Sequence, residues 1–131
     1  MNDRGDAPDS ESFVPLLESM RDIFLKHDLI RHATVVAELI DLAHLGSPNF
    51  AKKLGGGRMW GGAASVADSV GLRRSLEPVD AETERDSLEL MNLFIRLADH
   101  MKIQGISSEG SEFVANAFRR GFEMLRSQGE P

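Results

Sequence analysis

Four stretches of this 131-residue chain repeat apolar residues at three- and four-residue spacing, and none shows sustained two-residue alternation. That spacing places apolar side chains on one face of an α-helix, whereas alternation would indicate a β-strand. The stretches cover about residues 12–27, 29–45, 80–103 and 108–126. Four amphipathic helices usually bury their apolar faces by packing together. We therefore predict an all-α fold: a helical bundle of four main helices plus short helices around a Gly-rich, Trp-containing loop.

That loop, the glycine segment of residues 55–65, lies between the second and third of the predicted main helices. It holds the only tryptophan, Trp60, and five of the twelve glycines. These glycines are Gly55, Gly56, Gly57, Gly61 and Gly62. Glycine permits backbone conformations that other residues resist, at an entropic cost, so we expect these positions to shape the loop. Ser65 and Asp68 are spaced as a capping box and predict a short helix to about Val70.

Three interpretations of the glycine segment are open. Trp60 folding back onto the helices is favoured, because a lone tryptophan in a small domain is usually largely buried. In the second interpretation Arg58 and Trp60 anchor a partner protein, since both residue types are common at binding hot spots. The third is a phosphate cradle of backbone N–H groups, although no nucleotide-binding glycine motif is present.

Acidic residues dominate the charge of the chain, which is −6 overall. Residues 1–11 are polar and acidic, so we expect a flexible N-terminal tail followed by a single helical domain over residues 12–127. A second acidic run opens the third main helix, where Asp80 is the expected N-cap. Its candidate partner-binding residues are Asp80, Glu82, Glu84 and Asp86. They suit a partner with a basic surface, or simply a solvated helix start.

Several functional classes lack their signatures. Nucleic-acid binding needs clustered Lys and Arg, and a membrane span needs ~18 apolar residues, so we expect neither partner. With no cysteine and no repeated histidine–carboxylate pair, we expect no metal and no cofactor. No serine lies in a nucleophile-elbow motif, so we expect no catalytic residue. The N-terminus lacks the apolar run of a signal peptide, and we expect a cytoplasmic protein.

Residues 59–68 resemble a signature found in a family of small uncharacterised bacterial helical proteins, of the form W-G-G-x-[GA]-S-x-x-D. The matching positions are Trp60, Gly61, Gly62, Ala64, Ser65 and Asp68. The resemblance covers about residues 13–104 and departs at Ala64, where glycine is expected, and at residues 69–71, where apolar residues usually follow. It implies a helical fold and a bacterial origin, and it carries no activity.

The sequence as a whole favours a non-enzymatic helical module that binds another protein. Small acidic helical proteins of this size often act as immunity or antitoxin partners, which is an association from size and charge. Two alternatives stay open. One is a small-ligand-binding protein or enzyme with a pocket beside the glycine segment. The other is a homo-oligomer, because the second main helix is apolar around most of its circumference and would suit a dimer core.

Overall fold

The computed structural model describes residues 9–61, 65–67 and 80–129, except the side chains of residues 125–129. The regular elements in these ranges are helical, and none of the described residues lies in a β-strand, which confirms the all-α prediction. A short 3-10 turn, Ser10–Phe13, precedes six α-helices. These are α1 Val14–Lys26, α2 Ile30–Leu45, α3 Asn49–Leu54, α4 Gly57–Trp60, α5 Ala81–Ile103 and α6 Glu109–Gly129.

Local signals end α1 and α2 near the predicted positions. Asp28 links the two helices with a left-handed backbone (φ 64°), which a short polar side chain tolerates better than most. Gly46 closes α2 at φ 63°, and the Ser47 N–H donates to Leu42 O at 3.1 Å. This is the usual way in which a glycine satisfies the last carbonyls of a helix. The predicted boundaries of α2 are therefore confirmed to within one residue.

The start of α1 differs from the prediction. The predicted helix begins at Ser12, a residue type that often caps helices, but the N-cap is Phe13, and no side chain donates or accepts a capping hydrogen bond there. Ser12 instead lies inside the 3-10 turn, with Oγ 2.5 Å from Asp9 O and 2.6 Å from His100 Nε2. This contact with His100 of α5 outweighs the tendency of Ser12 to cap α1.

Serine and aspartate side chains start the two long C-terminal helices. Asp80 accepts a hydrogen bond from Thr83 N at 2.8 Å, which confirms it as the cap of α5. At α6, Ser108 N donates to Ser111 Oγ and Ser111 N donates to Ser108 Oγ, at 3.0 and 3.1 Å. This reciprocal pair has the logic of a capping box with serine in the usual glutamate position.

The core lies where α1, α2 and α5 meet, and α6 packs against α5. Its largest fully buried rings are Phe13, Phe24, Phe50 and Phe94. Leu93 of α5 and Ala115 of α6 are also buried. No helix of the described ranges is long and apolar enough to cross a membrane.

Candidate functional site

Trp60 is a core residue and not an exposed anchor, since its side chain is only 3% accessible. Its indole Nε1–H donates to Leu54 O at 2.7 Å, so the polar end of the ring is satisfied inside the fold. The ring meets Phe94 edge-on, with centroids 5.3 Å apart, and Phe94 in turn meets Phe118. The interpretation in which Trp60 folds back onto the helices is thus confirmed. Trp60 is therefore not held out in water, and its role as a partner-binding candidate stays a prediction.

The glycine segment is more regular than predicted, because residues 57–60 form the single helical turn α4. Three of its described glycines do not have left-handed backbone angles: φ is −85° at Gly55, −83° at Gly56 and −98° at Gly61. Close approach explains Gly61, where an added Cβ would lie 2.9 Å from Gly57 Cα. Gly62 and Asp68 lie outside the described residues, as does the predicted short helix beyond position 67.

Two contacts bring the glycine segment against the start of α6. A Cβ on Gly55 would lie 3.3 Å from Ser108 Cβ, and one on Gly110 would lie 3.0 Å from Trp60 Cβ. The absence of a side chain at Gly110 therefore lets α6 approach α4 closely. The Val66 N–H donates to Arg58 O at 2.8 Å, which holds the residue after the glycine segment close to α4.

These contacts build an apolar groove beside α6, with a volume of about 700 Å³. One wall is α6 and the other is formed by Trp60, Gly61, Ser65 and Ala67. The lining residues are Trp60, Gly61, Ser65, Ala67, Glu109, Gly110, Phe113, Val114, Ala117 and Phe118. We call this feature the α6 groove.

Phe113 is the exposed aromatic of the α6 groove, with 73% of its surface accessible. The candidate residues predicted from sequence do not include Phe113. Val114 and Phe118 pack against the core, and Phe113 lies outside the face that they define. At 100° per residue, Phe113, Ala117 and Met124 share a second face of the helix. Met124 is also 63% accessible. This second stripe is the signal that could have identified the groove from sequence.

Arg58 lies on the surface and its guanidinium is 3.4 Å from Glu38. It does not line the α6 groove, so Trp60 and Arg58, paired in the sequence-based interpretation, face different environments. Exposed ion pairs of this kind contribute little to stability, because solvent screens them.

The acidic start of α5 is partly used within the fold. Lys26 Nζ lies 2.5 Å from Glu82 and 2.8 Å from Asp86, and His27 Nε2 lies 2.8 Å from the same Asp86 oxygen. Asp80 is occupied in capping. Among the four predicted residues, Glu84 alone forms no such contact with the described residues. The run therefore ties α5 to α1 as well as presenting negative charge.

Hydrogen bonds and charges shift the pKa values of this cluster. Hydrogen bonds from Lys26 and then His27 lower the pKa of Asp86 from its usual 3.8, because both favour the carboxylate. The same contacts to Asp86 and Glu82 raise the pKa of Lys26. The hydrogen bond from Thr83 lowers the pKa of Asp80. In each case the contacts in the folded protein favour the charged form of the side chain.

Ser12 Oγ and His100 Nε2 form a contact of the kind that a nucleophile–base pair makes. The serine hydroxyl has one proton, and both Asp9 O and the His100 ring nitrogen lie within hydrogen-bond distance. If that proton goes to the carbonyl, the ring must donate to the hydroxyl oxygen. The contact then holds the 3-10 turn against α5, which is a structural role. The described side chains contain no group of three or more metal-ligating residues.

The chain matches no protein-family model, and comparison with curated proteins and with solved structures finds no similar protein.

Proposed function

We propose that this protein is a non-enzymatic binding module whose site is the α6 groove, and that the groove takes an amphipathic helix of a partner protein. The observation that carries the proposal is Phe113, an aromatic ring left exposed at the lip of a groove of about 700 Å³. Aromatic residues are enriched in protein interfaces relative to the rest of the surface. A helix laid into an apolar groove is a common recognition mode.

Charge favours a partner helix with basic flanks. Glu109 lines the α6 groove, Glu112 is exposed one turn further along, and the chain carries −6 overall. Lysine or arginine beside an apolar stripe would complement both carboxylates and speed encounter. The proposed partner is still a protein with a basic surface, but its proposed binding site is on α6 and not at the start of α5.

Two designed peptides test the proposal. Both carry the same leucine stripe and no tryptophan, but one has lysine flanks and the other glutamate flanks. Trp60 is the sole tryptophan and lines the groove, so its emission reports occupancy. We expect a saturable emission change with the lysine peptide, at about tenfold lower Kd than with the glutamate peptide.

Phe113→Glu supplies the groove variant and Leu45→Glu the matched control. Leu45 is 78% accessible and lies outside the groove, so both substitutions add one carboxylate at an exposed apolar position. The groove variant should lose binding of the lysine peptide and the control should keep it. No saturable change with either peptide, or equal loss in both variants, would contradict the proposal.

A small apolar ligand is a second candidate for the same groove. Its volume falls in the range of about 300–1,000 Å³ that is usual for ligand sites, and its lining is mainly apolar with aromatic rings. A single-ring apolar probe that shifts Trp60 emission and raises the unfolding temperature would favour this candidate. A response to the peptide alone would favour the helix.

The broader assignment follows from size, charge and fold class. We propose that the long helices α1, α2, α5 and α6 form a four-helix bundle around the described core, in a cytoplasmic protein. A module of this kind would suit an immunity or antitoxin role, in which the groove captures and neutralises its partner. A toxin-like open reading frame beside the gene would support that role.

A further inference from the structure

We propose that a second pocket of this protein, separate from the α6 groove, binds a small phosphate monoester. The pocket lies between α2 and the segment formed by α3 and α4, and its volume is about 370 Å³. Its charged lining residues are Glu38 of α2, Lys52 and Lys53 of α3 and Arg58 of α4. We call it the α3 pocket. The lining of the α6 groove includes none of these four residues, so the two sites are independent.

The charge of the α3 pocket is opposite to that of the whole chain. The chain carries −6, whereas the pocket brings three cations together with a single carboxylate. Arg58 is 3.4 Å from Glu38, and neither Lys52 nor Lys53 forms an ion pair with another described residue. A concave site with an excess of one charge concentrates ions of the opposite sign. The ligand that suits this pocket is therefore an anion.

The size of the charge excess favours a phosphate monoester over other anions. Three cations and one carboxylate leave an excess of two positive charges. A phosphate monoester carries about −1.5 to −2 near pH 7, whereas a carboxylate or a sulfate monoester carries a single negative charge. The planar guanidinium of Arg58 can bind two phosphate oxygens at once, and the lysine ammonium groups act as compact positive charges.

The volume and surroundings of the α3 pocket favour a small ligand. Its volume is near the lower end of the range of about 300–1,000 Å³ that is usual for ligand sites. Val35 and Leu39 supply apolar wall for a single ring, and Gly56 and Gly57 bring no side chain into the other end. A membrane or a nucleic acid would also bring its phosphates against the acidic remainder of the surface, which would repel them.

Equilibrium dialysis of the full chain at low ionic strength tests the proposal with two probes of the same shape. Phenyl phosphate carries the second negative charge, and phenyl sulfate lacks it. We expect saturable binding of phenyl phosphate, with a Kd about tenfold lower than that of phenyl sulfate. Added salt should raise the Kd for phenyl phosphate, because it screens the attraction between charges.

Substitutions of exposed residues locate the site. Lys53→Gln and Arg58→Gln should each raise the Kd for phenyl phosphate by about tenfold, because each removes a charge-assisted contact. Lys102→Gln is the matched control: it removes one exposed positive charge outside the pocket and should leave the Kd unchanged. Glu38→Gln should lower the Kd, because it removes the carboxylate of the lining.

Four results would overturn the proposal. These are no saturable binding of phenyl phosphate, equal affinity for phenyl phosphate and phenyl sulfate, equal losses in Lys53→Gln and Lys102→Gln, and a raised Kd in Glu38→Gln. Vesicles that contain phosphatidic acid present the same monoester on a surface and should not bind. Vesicle binding without phenyl phosphate binding would contradict the small ligand. Phe113→Glu should leave phenyl phosphate binding unchanged, so this proposal and the α6 groove can fail separately.

Discussion

At the scale of single residues, Trp60 joins three parts of the chain. Its indole N–H is bonded to the end of α3, its ring packs on Phe94 of α5, and its Cβ lies against Gly110 of α6. A large aromatic with a satisfied polar end is well suited to such a junction. Its burial could be predicted from composition, but Gly110 could not be identified as its neighbour, because that contact spans fifty residues of sequence.

Two glycines of the same helix provide a matched test of this junction. Gly110→Ala would place a Cβ 3.0 Å from Trp60 Cβ, so α6 must shift, at an expected cost of about 1–3 kcal/mol. Gly121→Ala would place a Cβ 3.6 Å from the flexible Met91 methyl group, an ordinary contact. It should stabilise the protein by about 0.5–1 kcal/mol through helix propensity.

Urea denaturation of both variants measures the two differences in the free energy of unfolding. Equal changes in the free energy of unfolding, of the same sign, would show that helix propensity alone determines the effect of both substitutions. In that case Gly110 would not be held close to Trp60.

At the scale of helices, boundaries could be predicted wherever a local residue sets them. Gly46 ends α2 and Asp80 caps α5, because each acts through its own backbone or the next turn. Two features were missed: the 3-10 turn at Ser12, which a tertiary contact with His100 holds, and the turn α4 within the glycine segment. Helical propensity of glycine is too low to indicate α4 from sequence.

The link between α1 and α5 predicts how stability depends on pH. Lys26 and His27 lower the pKa of Asp86 below 3.8, so the contact stabilises the fold above that pH. Its contribution should shrink as pH falls below 3.8 and disappear below the folded-state pKa. The difference in unfolding free energy between wild type and Asp86→Asn should therefore be largest near neutral pH and vanish in strong acid.

Denaturation curves at a series of pH values give this difference directly. Glu84→Gln is the control, because it removes a carboxylate of the same acidic run that forms no ion pair with the described residues. A difference for Asp86→Asn that stays constant from neutral pH to strong acid would contradict the assigned contact.

At the scale of the whole molecule, apolar surface is buried among α1, α2 and α5 but partly exposed on α6. The described core unites α1, α2 and α5, whereas α6 covers it with one stripe and leaves a second stripe bare. Helical periodicity predicted that α6 is amphipathic, but not that its apolar surface is wider than the core can cover. That excess depends on how closely α6 approaches Trp60, which is a property of tertiary packing. The sequence therefore contains the second stripe of α6, but its exposure beside Trp60 could not be predicted.

The α6 groove depends on Trp60 as its buried wall. The fluorescence of Trp60 tests that burial most directly. The chain has no tyrosine and a single tryptophan, so emission reports one position. We predict a blue-shifted emission that acrylamide quenches weakly in the native protein and strongly after unfolding in urea. A native emission that is red-shifted and quenched as readily as in urea would show that Trp60 is in water, and would contradict both the wall and the groove.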